Sequence, residues 1–292
     1  MALQSRANGE LAHVLGNSKQ ASLISFGSGF LVLMVMAAVS PRLRGGLRQI
    51  RIAAVDGRLP RWQTLAGMSG AIYVLVQAYA VPIMGVAIFS VATIAGQSTS
   101  SIAVDRMGLR SGVRHHITAR RIVTAVVTVA AVAVSVADRV QGAVGWLALV
   151  AFASGLLVSV QRALNAHITD YSEHSYATTW LNFATGVALL LVVNLVVQQP
   201  LGQIPTGPSA WWMYTGGTIG VVFIAISSVA VQKLGVLMFT VLSVGGQLVG
   251  ALIIDILYPT PGVQLSMNMY AGVALSLIGV LIGIRPRRRP RA

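Results

Sequence analysis

The sequence predicts an all-α membrane protein made of two inverted five-helix repeats, a ten-span bundle in which the first span is truncated and nine are complete. Three observations carry this reading: long uncharged apolar runs, arginines gathered in alternate connections, and an internal duplication. Of 292 residues, 55% are hydrophobic and 10% charged, with a mean hydropathy of +0.76, which suits a bilayer better than water. The runs are continuously apolar and do not alternate, so a β-barrel is excluded.

Charged residues leave uncharged runs at 20–41, 62–104, 122–137, 140–161, 174–232, 234–254 and 256–284. A helix needs about 20 residues to cross roughly 30 Å of hydrocarbon, so the two longest runs must fold back. The predicted spans are 20–41, 62–82, 85–104, 120–137, 143–165, 176–198, 211–231, 235–256 and 267–284. Between them, the loop 42–61 carries Arg42, Arg44, Arg48, Arg51, Arg58 and Arg61, and the loop 105–121 carries Arg106, Arg110, Arg114, Arg120 and Arg121. The tail adds Arg285, Arg287, Arg288, Arg289 and Arg291. Positive charge retained on the cytoplasmic side places all three segments, and the C-terminus, in the cytoplasm. Nine alternating spans put them on one face together with Lys233, while 199–210 and 257–266 carry no charge. The net charge of +14 is therefore a topology signal. Basic segments without interleaved aromatics imply no nucleic-acid partner. With no cysteine, disulfides, thiolate metal sites and cysteine nucleophiles are all excluded.

The duplication appears when the chain is slid along itself. At an offset of 150, Gly85, Val86, Phe89, Val91, Gly96 and Gln97 meet Gly235, Val236, Phe239, Val241, Gly246 and Gln247. Trp62, Gly67, Gly70 and Asp105 likewise meet Trp212, Gly217, Gly220 and Asp255. Nearer the start the offset is 157, and Gln4, Asn8, Ser18, Phe26 and Gly29 meet Gln161, Asn165, Ser175, Phe183 and Gly186. The halves are 1–138 and 139–292, the second ending in the basic tail. Five spans per repeat is an odd number, so the second copy is inverted. Inverted repeats characterise alternating-access transporters, whose halves exchange inward-open and outward-open arrangements. Gln4 has only three residues before it, so the first copy keeps only the end of its first helix, and about 15 further apolar residues are expected upstream of Met1 to complete a span.

The segment 155–186 carries a G-x-x-x-x-x-Q-x-x-x-N-x-x-[LI] helix and a following F-x-x-G helix, with Gly155, Gln161, Asn165, Ile168, Phe183 and Gly186 at the motif positions. The first copy matches with Gln4, Asn8, Leu11, Ser25, Phe26 and Gly29. In these residues and in its five-plus-five plan the chain resembles the YdcZ-like branch of the drug/metabolite transporter superfamily. The resemblance spans nearly the whole chain and implies an inner-membrane exporter of a small molecule.

Polar side chains inside a membrane are costly unless partnered, and they face bundle interiors or cavities. Gln161 and Asn165 are spaced i, i+4 and share a helix face, as do Gln4 and Asn8. These pairs either line a substrate site or hold helices together. Gln97 and Gln247 follow glycines deep in their spans and admit the same two readings. Gln77 faces serine at its repeat position 227, which would break the symmetry and set substrate preference. Proton coupling would need a carboxylate. Asp56 and Asp138 are loop charges, while Asp170 and Glu173 fall in a polar linker. Asp105 and Asp255 end symmetry-related helices and are gate candidates or solvated ends, and Glu10 is a candidate proton site on the first helix.

The function expected is secondary transport of a small metabolite or drug-like solute, without a cofactor, since no phosphate-binding lysine motif is present. The competing classes are an intramembrane lipid-modifying enzyme and a non-transporting sensor or scrambler. Neither H-E-x-x-H nor G-x-S-x-G occurs. Substrate, direction, coupling ion and oligomeric state are left open at this level.

Overall fold

A computed structural model describes residues 1–107, 119–138, 143–207, 210–260, 263 and 265–284, without the side chains of 105–107, 121, 224–225, 227–242 and 283–284. Among these residues the structure is helical, with α1 (Ala2–Leu15), α2 (Ser18–Val39), α3 (Pro41–Val55), α4 (Gly67–Met107), α5 (Ala119–Val136), α6 (Ala143–Ser172), α7 (Ser175–Val196), α8 (Gly216–Leu257) and α9 (Met267–Ile284). Short 3-10 turns at Arg61–Leu65 and Trp211–Thr215 lead into α4 and α8.

Local chemistry sets the breaks. Gly16 ends α1 in the left-handed conformation, and the Asn17 side chain accepts from the Gln20 N–H to start α2. Ser40 caps the next start, with Pro41 in the first turn. This start is unexpected, because the segment 42–61 reads as a loop by its arginines. It is instead the amphipathic helix α3, which buries Leu43, Gly46, Ile50 and Ala53 against α6 and α7 and leaves Arg42, Arg44, Arg48 and Arg51 exposed. Helical spacing of the apolar residues wins, because it lets one stripe dock while the charges stay solvated.

The two longest helices double back, α4 as the length of the run 62–104 requires. In α4 the reversal is at Gly85, whose φ of 82° and ψ of 167° follow Pro82 by three residues. Tyr73 and Phe89 stand 16 residues apart, about 24 Å along a straight helix, yet their ring centroids are 5.6 Å apart. In α8, Gly216 adjoins Asn8 while Gly250 adjoins Ala2. Those α8 positions would lie about 51 Å apart in a straight helix, against about 9 Å between their partners on α1.

The second limb of α4 forms the centre, with residues 86–96 all buried. Phe89, Ile88, Met84 and Ile94 interlock there with Leu147 of α6 and Leu248 of α8. The opposite pattern holds outside. Leu31, Val35 and Val39 of α2, Trp146 and Leu149 of α6, and Leu191, Val192 and Leu195 of α7 are exposed. Such a belt fits hydrocarbon, and four helices among the described residues are long and apolar enough to cross a membrane.

Several helix contacts come in reciprocal pairs at the repeat offsets. Phe26 and Phe183 stack across α2 and α7 with centroids 5.0 Å apart, Gly29 facing Phe183 and Gly186 facing Phe26. Gly67 presses on Asn182 and Thr185, while Gly217 presses on Ser25 and Ser28. A methyl group at any of these four glycines would collide with its partner.

Candidate functional site

Two amide clusters lie within the bundle. In the first, Gln77 on α4 bridges α1: its Nε2 donates to Ser5 Oγ at 2.7 Å, and its Oε1 accepts from Asn8 Nδ2 at 2.7 Å. All three are buried. Asn8 Oδ1 and Ser25 Oγ converge on the bare face of Gly216, and Gln4 Nε2 faces Gly220. Among the described residues Asn8 Oδ1, Ser25 Oγ and Gln4 Oε1 have no hydrogen-bond partner.

In the second cluster Gln161 Nε2 on α6 donates to Asn182 Oδ1 on α7 at 2.9 Å, and Asn182 Nδ2 donates to Asn165 Oδ1 at 2.8 Å and to the Thr178 carbonyl at 2.8 Å. Gln161 also packs over Gly70, as Gln4 does over Gly220. Asn182, absent from the sequence-derived candidates, is thus the hinge of this cluster. Its signal was present: at the 157 offset it falls on Ser25, the residue preceding Phe26 in the first copy of the motif.

The glutamines paired at the 150 offset are placed differently. Gln247 is buried on α8, and its Nε2 has no partner among the described residues. The Tyr73 hydroxyl lies near Thr93, Gln77 and Gln247, so polar groups of α4 and α8 come together there. Gln97 is half-buried on α4. Beside Gln161 stands Arg162, also missed by the sequence reading, whose side chain is exposed.

The acidic candidates separate from these clusters. Asp255 is buried, and its carboxylate accepts from the N–H groups of Val86 at 3.1 Å and Ala87 at 2.7 Å. It is therefore no solvated helix end. It caps the limb of α4 that begins after Gly85, where N–H groups lack intrahelical partners. The side chain of its repeat mate Asp105 lies outside the described residues. Glu10 pairs with Arg6 at 3.1 Å, and Arg6 also donates to Thr260 at 2.8 Å, closing a shallow crevice lined with Gly9, His13, Val81 and Pro82. Asp170 sits within α6, which runs seven residues beyond the expected span, and only Glu173 leaves the helix, at φ 52°. No group of three or more metal-binding side chains occurs among the described residues.

A family described as "Putative inner membrane exporter, YdcZ" matches residues 1–134 and 146–282. The chain belongs to the YdcZ family. YdcZ membership makes it a multi-pass membrane protein of a transport family, in keeping with the exposed apolar belt. The first matched segment of this YdcZ chain contains Gln4, Ser5, Asn8 and Gln77, and the second contains Gln161, Asn165 and Asn182. No curated protein matches the chain.

Proposed function

We propose that this protein is a secondary transporter that exports a small metabolite or drug-like solute by alternating access between two inverted five-helix repeats, residues 1–138 and 139–292. The carrying observation is the reciprocity of the packing. Gly67 on Asn182 and Gly217 on Ser25 are one contact made twice, with the two segments exchanged. Reciprocal contacts of this kind arise when two like units face each other across a twofold axis. Two like halves have two equivalent tilts, which is the physical basis for inward-open and outward-open states of similar energy.

In this reading α1, the two limbs of α4, the two limbs of α8 and the remaining long helices make ten membrane segments. The arginine-bearing face, with α3 and the C-terminus, is cytoplasmic. Gln161, Asn165, Gln4, Gln97 and Gln247 contact the solute. Asn8 and Gln77, joined by the Nδ2–Oε1 hydrogen bond, fix α1 against α4. Asp255, Asp105 and Glu10 lie towards helix ends and are the coupling or gating groups.

Reconstitution tests the proposal. Purified protein in liposomes should move solute with saturable, gradient-driven kinetics. Flux that never saturates for anionic, neutral and cationic solutes alike would sink it.

A further inference from the structure

We infer that the transported solute carries a carboxylate and that Arg162 is the group that receives it. The inference rests on the transport reading above and names the substrate class of that bundle.

Helix α6 turns one side outward. Trp146, Leu149, Ala153 and Leu157 are exposed and form its outward stripe. With residues advancing about 100° each, Arg162 projects about 140–180° away from every one of them. It shares a face with Ala151, Gly155 and Val158, which are buried, and Gly155 lies against Thr93 of α4. Arg162 is nonetheless exposed. Exposure on this inward face requires an opening between α6 and its neighbours that solvent reaches. Arg162 stands about 15 Å from the Ser172 end of α6, with Gln161 and Asn165 beside it and the Tyr73 hydroxyl within electrostatic range.

No ion pair engages this cation among the described residues. Glu10 is held by Arg6 and Asp56 by Arg58, while Asp255 serves the α4 backbone. A cation within a spanning helix is costly and marks a functional position. Its planar guanidinium matches a carboxylate with two parallel hydrogen bonds. Charge balance favours a carboxylate over a phosphate dianion, because the described groups beside Arg162, Gln161, Asn165 and Tyr73, are neutral amides and a phenol. The repeat mate of Arg162 is Ser5, already bonded to Gln77, so the opposite half supplies no second cation there.

The test uses purified full-length protein and matched triplets of carboxylate, amide and amine on one carbon skeleton: propionate, 2-hydroxypropionate and 3-phenylpropionate with their counterparts. At least one carboxylate should raise the melting temperature while its amide and amine do not. Arg162→Gln should weaken that carboxylate at least tenfold, and Arg162→Lys should weaken it less. Stabilisation by amines or amides alone, by no compound at all, or with less than a twofold effect of Arg162→Gln would overturn the inference. Should Arg162→Gln not fold, Ala166→Cys retains the guanidinium and supplies a lone thiol on the same face. Its labelling by a water-soluble thiol reagent should be slowed by the carboxylate and not by the amide; equal protection, or no labelling, counts against the site. Saturable flux of a neutral or cationic solute untouched by Arg162→Gln defeats this inference and leaves the transport reading standing. Absence of saturable flux for all three charge classes defeats that reading itself.

Discussion

At Asp255 two backbone N–H groups converge on one buried carboxylate. Hydrogen bonds to a charged acceptor contribute more than neutral ones, so Asp255→Ala should destabilise the protein by about 1.5–3 kcal/mol, and Asp255→Asn, which keeps one acceptor, by less. Melting temperature in detergent is the measurement, and an unchanged value for the alanine variant would remove the capping role. Asn182 offers a second test, since it holds both Gln161 and Asn165. Asn182→Ala should cost roughly 0.6–2 kcal/mol, the range for interhelical hydrogen bonds in membranes. Gln161→Ala loses a single bond from a half-exposed side chain and should leave the melting temperature nearly unchanged while weakening flux. Normal flux from a destabilised Gln161→Ala protein would instead make Gln161 a structural tie.

Among the elements, α3 and the Gly85 reversal depend most on tertiary contacts. The arginines of 42–61 mark a charged segment between apolar runs, but its helical apolar stripe has meaning only because α6 and α7 supply a surface for Leu43 and Ile50. Leu43 is fully buried, so Leu43→Ala should cost about 2–5 kcal/mol while any exposed arginine of α3 can be replaced with little loss. Gly85 combines a positive φ with an extended ψ, a conformation nearly confined to glycine, beside the Asp255 carboxylate, where a Cβ would stand 3.0 Å from Oδ2. Gly85→Ala should therefore destabilise by about 1–3 kcal/mol from backbone strain alone, read as a lowered melting temperature. A neutral effect would mean that the reversal tolerates an ordinary side chain.

For the whole molecule the central proposal is which end faces the cytoplasm. The chain contains no cysteine, so a single introduced thiol reports without background. Gly57→Cys, after α3, should be labelled only from the cytoplasmic side, and Gly207→Cys, between α7 and α8, only from outside; both positions are exposed. Reversed labelling would invert the proposed orientation, and labelling of both from one side would overturn the span assignment. The same cysteine-free background makes labelling in two solute conditions a direct probe of alternating access.

By itself the sequence determined the membrane class, the family and the approximate helix positions. These follow from local quantities: apolar run length against bilayer thickness, and a duplication that survives as identities of Gly, Gln, Asn, Trp and Asp. Only the tertiary structure decided which polar groups meet. Gln77, singled out in the sequence as an unmatched amide, joins α1 to α4 through Ser5 and Asn8. Asn182 passed unnoticed until α6 and α7 were brought together, and Arg162 read as a charge ending an apolar run until its helix face was known. Asp255 reads as a gate candidate or a solvated helix end, and becomes a buried cap because the Gly85 reversal carries unpaired N–H groups of a distant segment to it. Hydropathy is additive along the chain and so can be read from it. The partner of a buried polar group is set by where another segment lies in space, which no local property encodes.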